Sequence, residues 1–425
     1  MDLMRKIPFY KPSIGAEEIE EVVATLKSGW LTTGPRTKQF EREFAAYLGH
    51  KHAVAVNSCT AALHLALEAL GLKPGQGVIV PTMTFAATAE VVRNLGARPL
   101  LADCRPTDFN LDVADAERRI RSALEAGLHV AAIMPVDYGG QIGDVAGIRD
   151  LARRYHLKIV EDAAHCCPAC YREPGPGPAR GPGPARPGQW QAVGHGADCS
   201  CYSFYANKPI TTGEGGMVCT ESQEYADRMR LMSLHGISRD AWKRYTGEGS
   251  WDYEIIAPGF KYNLTDLAAA IGLHQLRKAD RLHQRRSALA GQYYAALEGV
   301  QEIILPRVMP NRIHSWHLYV IRLKLDQLCI DRRQFIARLQ QRGITASVHW
   351  MPLHLHPYYR QTYAYRPQDL PTANSLYPEI VSLPLYPDLQ ESDLHCICEA
   401  IKDILRRNRR RPRRPRSVRP KLTGE

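Results

Sequence analysis

Between about Glu17 and Ala270, short apolar runs rich in β-branched residues alternate with stretches whose apolar positions recur every three or four residues. The short runs predict strands at 53–57 ("AVAVN"), 77–81 ("GVIVP"), 98–103 ("RPLLAD"), 129–136 ("HVAAIMPV"), 157–162 ("LKIVED") and 199–204 ("CSCYSF"). The periodic stretches predict helices at 59–71, 85–96 and 144–156. Strands and helices in this alternation make an α/β sheet protein. A long helical pattern over 267–299 then changes the rhythm. A smaller α+β region follows, with a strand at 316–323 and a helix at 331–343. We divide the chain into a large domain over 1–270 and a small domain over 271–405, the boundary falling inside or just after the long helix.

Two segments break the pattern. Residues 174–188 read "PGPGPARGPGPARPG", with GPGPAR in tandem at 175–180 and 181–186. Alternating Pro and Gly sustains neither a helix nor a central strand, so this is a low-complexity loop inserted into the large domain. The second segment, 406–425, holds nine arginines, one lysine and one glutamate, and so carries +9 of the formal net charge of +11. The body of the chain keeps +2 and is nearly neutral. An Arg/Pro-rich tail cannot build a core, and we expect it to be disordered. Such a tail can contact nucleic acid, but we read it as a solvated extension.

The 425 residues bury a full core, and no run approaches membrane-spanning length. "MDLMRKIPFY" lacks the apolar centre of a signal peptide, which predicts a cytoplasmic protein. The 11 cysteines are scattered and mostly lie in apolar runs. Cys167 and Cys170 form a C-x-x-C followed by Cys199 and Cys201, but the last pair shares one face of a strand, as core residues do, and we expect no metal site.

Candidate chemistry collects at strand ends. Ser58 is a good N-cap for the helix that follows the strand at 53–57, and the exposed N–H groups of such a start can bind phosphate or simply be capped. Glu161 and Asp162 end a hydrophobic strand, where a carboxylate faces a ligand crevice, forms a structural ion pair or caps a helix. Phe85 opens a helix after a strand, a position open to core packing or to stacking on a flat heterocycle. Lys208 lies in "CYSFYANKPITTGEGGMV" (201–218), between the strand carrying Ser203 and the glycines 213–216, which allow close backbone approach to a ligand. A phosphate cradle, an aromatic plate, a carboxylate and an amine, in that order, are the parts pyridoxal 5′-phosphate requires.

With "SGWLTTGP" (28–35), "NSCTAALHLAL" (57–67), "PTMTFAATAE" (81–90), "PVDYGGQ" (135–141), "VEDAAH" (160–165), "GFKYNLTDLAAAIGLHQL" (259–276) and "SLPLYPDL" (382–389), the chain from Ile7 to Leu405 resembles the DegT/DnrJ/StrS family of nucleotide-sugar aminotransferases. "GFKYNLTD", "WHLY" and "HWMPLH" are most similar to members acting on UDP-linked 4-keto sugars, of the 4-amino-4-deoxy-arabinose type. The resemblance implies a fold-type-I transferase, with a mixed, mostly parallel sheet in the large domain and a smaller C-terminal α+β domain. It implies that Lys208 forms the Schiff base and then moves the substrate proton. Asp162 would face the ring nitrogen, Phe85 would stack on the ring, and His165, where many members have glutamine, would sit near the ring oxygen. Cys59, Thr60 and Ser203 would hold the phosphate, joined across a homodimer interface by Asn263. Glutamate would give the amine and leave as 2-oxoglutarate, and a keto group of the sugar would receive it, for surface-glycan or related amino-sugar synthesis. His349 and His354 would belong to a loop on the substrate side. Two rivals are a pyridoxamine-dependent sugar dehydratase, in which a histidine replaces the lysine, and a non-catalytic cofactor-binding regulator.

Overall fold

The computed structural model describes residues 6–173, 190–238 and 253–410. The tandem GPGPAR insert and the tail beyond Arg410 therefore lie outside the described residues.

Six predicted strands of the N-terminal part and one unpredicted strand, Gly216–Thr220, assemble as one seven-stranded sheet. Its members are β1 (His52–Val56), β2 (Gly77–Pro81), β3 (Arg98–Ala102), β4 (Val130–Ile133), β5 (Lys158–Asp162), β8 (Cys199–Ser203) and β9 (Gly216–Thr220), after two short strands β6 (Cys170–Tyr171) and β7 (Gln191–Ala192). The order across the sheet is β1-β9-β8-β5-β4-β2-β3. Every pairing is parallel except those of β9, which runs antiparallel to both β1 and β8. The parallel strands read as continuous apolar runs because helices cover both faces.

The Cys59–Ala69 helix shows why. Ser58 caps it, its hydroxyl accepting from the Ala61 N–H at 3.1 Å. Every residue from Ala61 to Leu67 is buried, so this helix is apolar all round. It packs between the sheet and the outer helices Ala87–Asn94 and Gln223–Met232. On the other face, Phe40 and Phe44 of the Pro35–Leu48 helix meet Phe204 with ring centroids 5.2 and 5.4 Å apart.

The long helical pattern resolves into two helices, Asp266–Arg277 and Ala279–Leu297. Between them Lys278 leaves helical geometry, with φ −104° and ψ 7°. Its ammonium reaches the Glu18 carboxylate at 2.5 Å, and that carboxylate is buried. The helix beyond supplies Leu289, Tyr293 and Leu297 to a second core under the three-stranded sheet β10 (Ile303–Ile304), β12 (Tyr319–Leu323) and β13 (Ile380–Leu383). The strand expected at 316–323 starts three residues later, because Trp316 is left-handed at φ 53°. A third small sheet joins β11 (Arg312–Ile313) to β6 and β7.

The closing helix, Glu391–Arg407, buries Leu394, Ile397, Ile401 and Ile404 along one stripe. It carries the first arginines of the basic run into ordered structure. Arg406 and Arg407 pair with Asp403, and Arg409 pairs with Glu302. The expected disordered tail therefore does not begin at 406. No helix among the described residues is long and apolar enough to cross a membrane.

Candidate active site

Lys208 sits on the loop between β8 and β9, and that loop is anchored at both ends. The Phe204 N–H donates to the Gly215 carbonyl at 2.9 Å, and the Phe204 carbonyl accepts from the Thr211 hydroxyl and the Thr212 N–H, each at 2.9 Å. The Lys208 N–H bonds the Tyr205 carbonyl at 2.9 Å, closing a tight turn. Among the described residues no carboxylate lies within ion-pair distance of the Lys208 amine. Desolvation brings its pKa down to about 8, only partly opposed by the negative potential of Asp162.

Asp162 ends β5 on the same side. One carboxylate oxygen accepts from the Thr88 hydroxyl at 2.8 Å, the other from the Ala164 N–H at 3.2 Å. Burial raises its pKa, while those two donors and the nearby Lys208 pull it down. Glu161, its neighbour, points to the opposite face, as the two-residue period of a strand requires. There it meets Asp137, and desolvation pushes both carboxyls upward. The two acids that end β5 thus have separate surroundings, and only Asp162 faces the lysine.

The helix start at Ser58 lies beside them. A Cβ on Gly216 would come within 2.5 Å of the Ser58 carbonyl carbon, so only glycine lets β9 pass this close to the N-terminus. Gly216 is also the register partner of Ser203, which brings the Ser203 hydroxyl to the same corner. Cys59 and Thr60 occupy the first helical positions, whose N–H groups precede any intrahelical bond. Burial raises the Cys59 thiol well above its usual pKa, so it is neutral, and what this position offers an anion is its main chain.

Phe85 is 60% exposed, which rules out the core alternative. Its ring lies 6.3 Å from that of Trp350. Trp350 in turn stacks on His165 at 4.9 Å, and His165 lies 4.4 Å from His317. Nδ1 of His165 accepts from the Gly139 N–H at 3.0 Å, which leaves the proton on Nε2. Burial, then the nearby Lys208 ammonium, lower its pKa well below the ordinary histidine value, which favours the neutral ring.

Asn263 forms a bridge with Val56, one residue before Asn57. Its amide donates to the Thr33 hydroxyl at 2.6 Å, and its carbonyl oxygen accepts from Lys261. Within one chain this side chain is occupied by its own neighbours. His349 bonds the Ser382 hydroxyl at 2.8 Å, and its potential reaches His165. His354 does not join it. It is fully buried, with Nδ1 2.8 Å from the Thr82 hydroxyl, and acts as a strut between loop and strand.

Thr88, Gly139, His317 and Trp350 belong to the site but carried no role in the sequence reading. All four lie in stretches that carry the family resemblance, but nothing local in those stretches marks them. The cysteines do not converge: Cys199 and Cys201 pack in the core around the Cys59–Ala69 helix, whereas Cys167 packs in the core on the other face.

Comparison with known proteins fits this geometry. The profile of the DegT/DnrJ/EryC1/StrS aminotransferase family matches residues 12–402. The chain belongs to that family. It is therefore an aminotransferase. It is 41% identical over 401 residues to the spore coat polysaccharide biosynthesis protein SpsC of Bacillus subtilis, covering 94% of this chain and 97% of that one. An uncharacterized protein of Methanocaldococcus jannaschii is 42% identical over 403 residues, covering 95% and 98%. Among solved structures, the PMP form of a putative sugar aminotransferase from Streptococcus pneumoniae superposes with a TM-score of 0.83 at 31% identity, covering 95% of this chain and 98% of that one. PseC of Helicobacter pylori, an aminotransferase of pseudaminic acid biosynthesis, superposes at 0.81 with 27% identity, covering 95% and 100%.

Members of this DegT/DnrJ/EryC1/StrS family use pyridoxal phosphate. The residues present fit it: a desolvated amine, a buried carboxylate held by two donors, a helix start pressed against a glycine strand, and an exposed aromatic ring.

Proposed function

We propose that the enzyme moves the amino group of glutamate onto a keto group, at carbon 4, of a nucleotide-linked sugar for surface-glycan or related amino-sugar synthesis. The desolvated Lys208 amine opposite Asp162 carries this reading, together with relatives named for sugar amination and coat polysaccharide synthesis. Lys208 is the covalent anchor of the cofactor and, once released, the base that moves the proton at the substrate carbon. Its pKa of about 8 leaves enough neutral amine near neutral pH for both tasks. When bound, pyridoxal phosphate supplies an electron sink and carries the amine between the two half-reactions.

Asp162, oriented by Thr88 and Ala164, would face the ring nitrogen of the bound cofactor. His165, with its proton on Nε2, would donate to the ring oxygen. Phe85 would stack on the ring. The N–H groups of Cys59 and Thr60 and the Ser203 hydroxyl would hold the phosphate. In a homodimer Asn263 would reach the partner's phosphate, exchanging its bond to Thr33 for it. Lys208 itself argues against the dehydratase reading, which needs a histidine there.

The test is the visible spectrum of the purified holoenzyme before and after glutamate alone. A yellow band that bleaches with release of 2-oxoglutarate supports the donor half. A band that persists removes glutamate as donor. No band after addition of pyridoxal phosphate removes the enzymatic reading. A panel of nucleotide-linked 3-keto and 4-keto sugars then tests the acceptor.

A further inference from the structure

At the far end of β1 from Val56 and Ser58, three potential metal ligands come together from distant parts of the chain. His50 precedes β1, Glu221 follows β9, and His195 lies in the segment between β7 and β8. Their donor atoms all lie within 4.8 Å of one another. The two imidazoles stack with centroids 4.4 Å apart and planes inclined by 13°, so one ring must turn before both in-plane lone pairs can meet at one ion.

The partners of the ring nitrogens are more telling than the proximity. Nε2 of His195 lies 2.8 Å from the Leu48 carbonyl. A carbonyl only accepts, so that nitrogen carries the proton and Nδ1 keeps its lone pair. Nε2 of His50 lies 3.4 Å from the Val193 carbonyl, leaving Nδ1 beside Glu221 Oε1 at 3.1 Å. One nitrogen of each ring thus faces a main-chain carbonyl, and the second His50 nitrogen faces the Glu221 carboxylate. This is how metal-bound histidines are oriented by their outer partners. Zinc bonds of about 2.0–2.1 Å at tetrahedral angles set neighbouring donors about 3.3 Å apart, close to the spacing of His50 and Glu221.

The geometry points to a divalent transition-metal site formed by His50, His195 and Glu221, remote from the aminotransfer centre. Two imidazoles and one carboxylate suit zinc, and a water completes the shell. The His50 side chain is 2% exposed and fixes the site, whereas Glu221 at 45% can draw in. Lys51 competes for the carboxylate, its N–H donating to Oε1 at 3.4 Å and its ammonium lying 4.0 Å from Oε2. Bound metal would tie the entry to β1, the exit of β9 and the approach to β8 into one point.

The experiment uses the tag-free, full-length holoenzyme, stripped with a chelator and titrated with Zn²⁺ by calorimetry. Co²⁺ serves in parallel as a visible-absorption probe of tetrahedral geometry. The expected result is one metal per chain, with affinity lowered at least ~10-fold in both His195→Ala and Glu221→Gln. Zinc should raise the melting temperature of the wild type and leave that of the variants unchanged. Circular dichroism verifies that each variant is folded, and the second carries the test if the first is not. Absence of stoichiometric binding, or binding that neither variant weakens, overturns the proposal. So does binding lost in Cys170→Ser, which would place the metal on the thiols instead.

Discussion

Lys208→Met keeps the length and apolar stem of the side chain and deletes the amine that titrates. Burial holds that amine at a pKa of about 8, against an ordinary value of 10.5. Below pH 8 both the folded and the unfolded chain are protonated at this site, and the folded state bears the full penalty of a desolvated ammonium. At 1.36 kcal/mol per pH unit, that penalty is about 3 kcal/mol near pH 7. Between the two pKa values the unfolded chain binds more protons, so stability rises with pH. The penalty disappears above the unfolded value. Cofactor-free Lys208→Met should therefore exceed the wild type by up to ~3 kcal/mol at pH 7 and converge with it near pH ~10.5. Urea unfolding followed by circular dichroism, at one protein concentration and several pH values, measures this difference if the denaturant slopes agree. An advantage below ~0.5 kcal/mol at pH 7, or one that does not shrink with pH, would refute the account of Lys208 as a desolvated amine. The same variant should have no aminotransferase activity, so one substitution would trade function for stability.

Three further outcomes follow from individual contacts. Thr88→Val removes a hydroxyl donor from a buried carboxylate. It should weaken cofactor binding by ~10–100-fold, measured by fluorescence titration with pyridoxal phosphate. His165→Gln can still accept from Gly139 and donate toward the ring, so kcat/KM should stay within about tenfold of wild type. His165→Leu, which does neither, should lose on the order of 100-fold. Gly216→Ala puts a methyl group 2.5 Å from the Ser58 backbone and must displace the helix start. Its cofactor affinity should fall by at least ~10-fold, with a smaller effect on melting temperature.

Six strands of the seven-stranded sheet were legible because they are apolar runs covered on both faces, and most helices between them start at clear caps. Asp162, Ser203 and the Ser58 cap could be placed at strand ends from pattern alone. β9 escaped although "GMVCT" is wholly buried. It follows a glycine turn so closely that it reads as part of the lysine loop, and its antiparallel direction leaves no trace in composition. The break at Lys278 was invisible for another reason. Nothing local interrupts the helical pattern, and the residue is drawn away by Glu18, about 260 positions upstream. The start of the tail failed likewise. Arg406, Arg407 and Arg409 look like a charge run, but the first two end the closing helix and pair with Asp403, and Arg409 pairs with the buried Glu302. Thr88, His317 and Trp350 act through tertiary contacts that spacing does not reveal.

The aromatic and titratable side chains described around Lys208 fall mainly in two stretches of chain. Those proposed to hold the cofactor, apart from Asn263, all precede residue 220, whereas His317, His349 and Trp350 come from 314–350 and approach from the other side. Gene exchange or directed evolution could therefore redraw the second stretch and select a new acceptor while the chemistry of the first is inherited unchanged. His165, stacked on Trp350 and bonded to Gly139, is the seam across which the two inheritances must remain compatible.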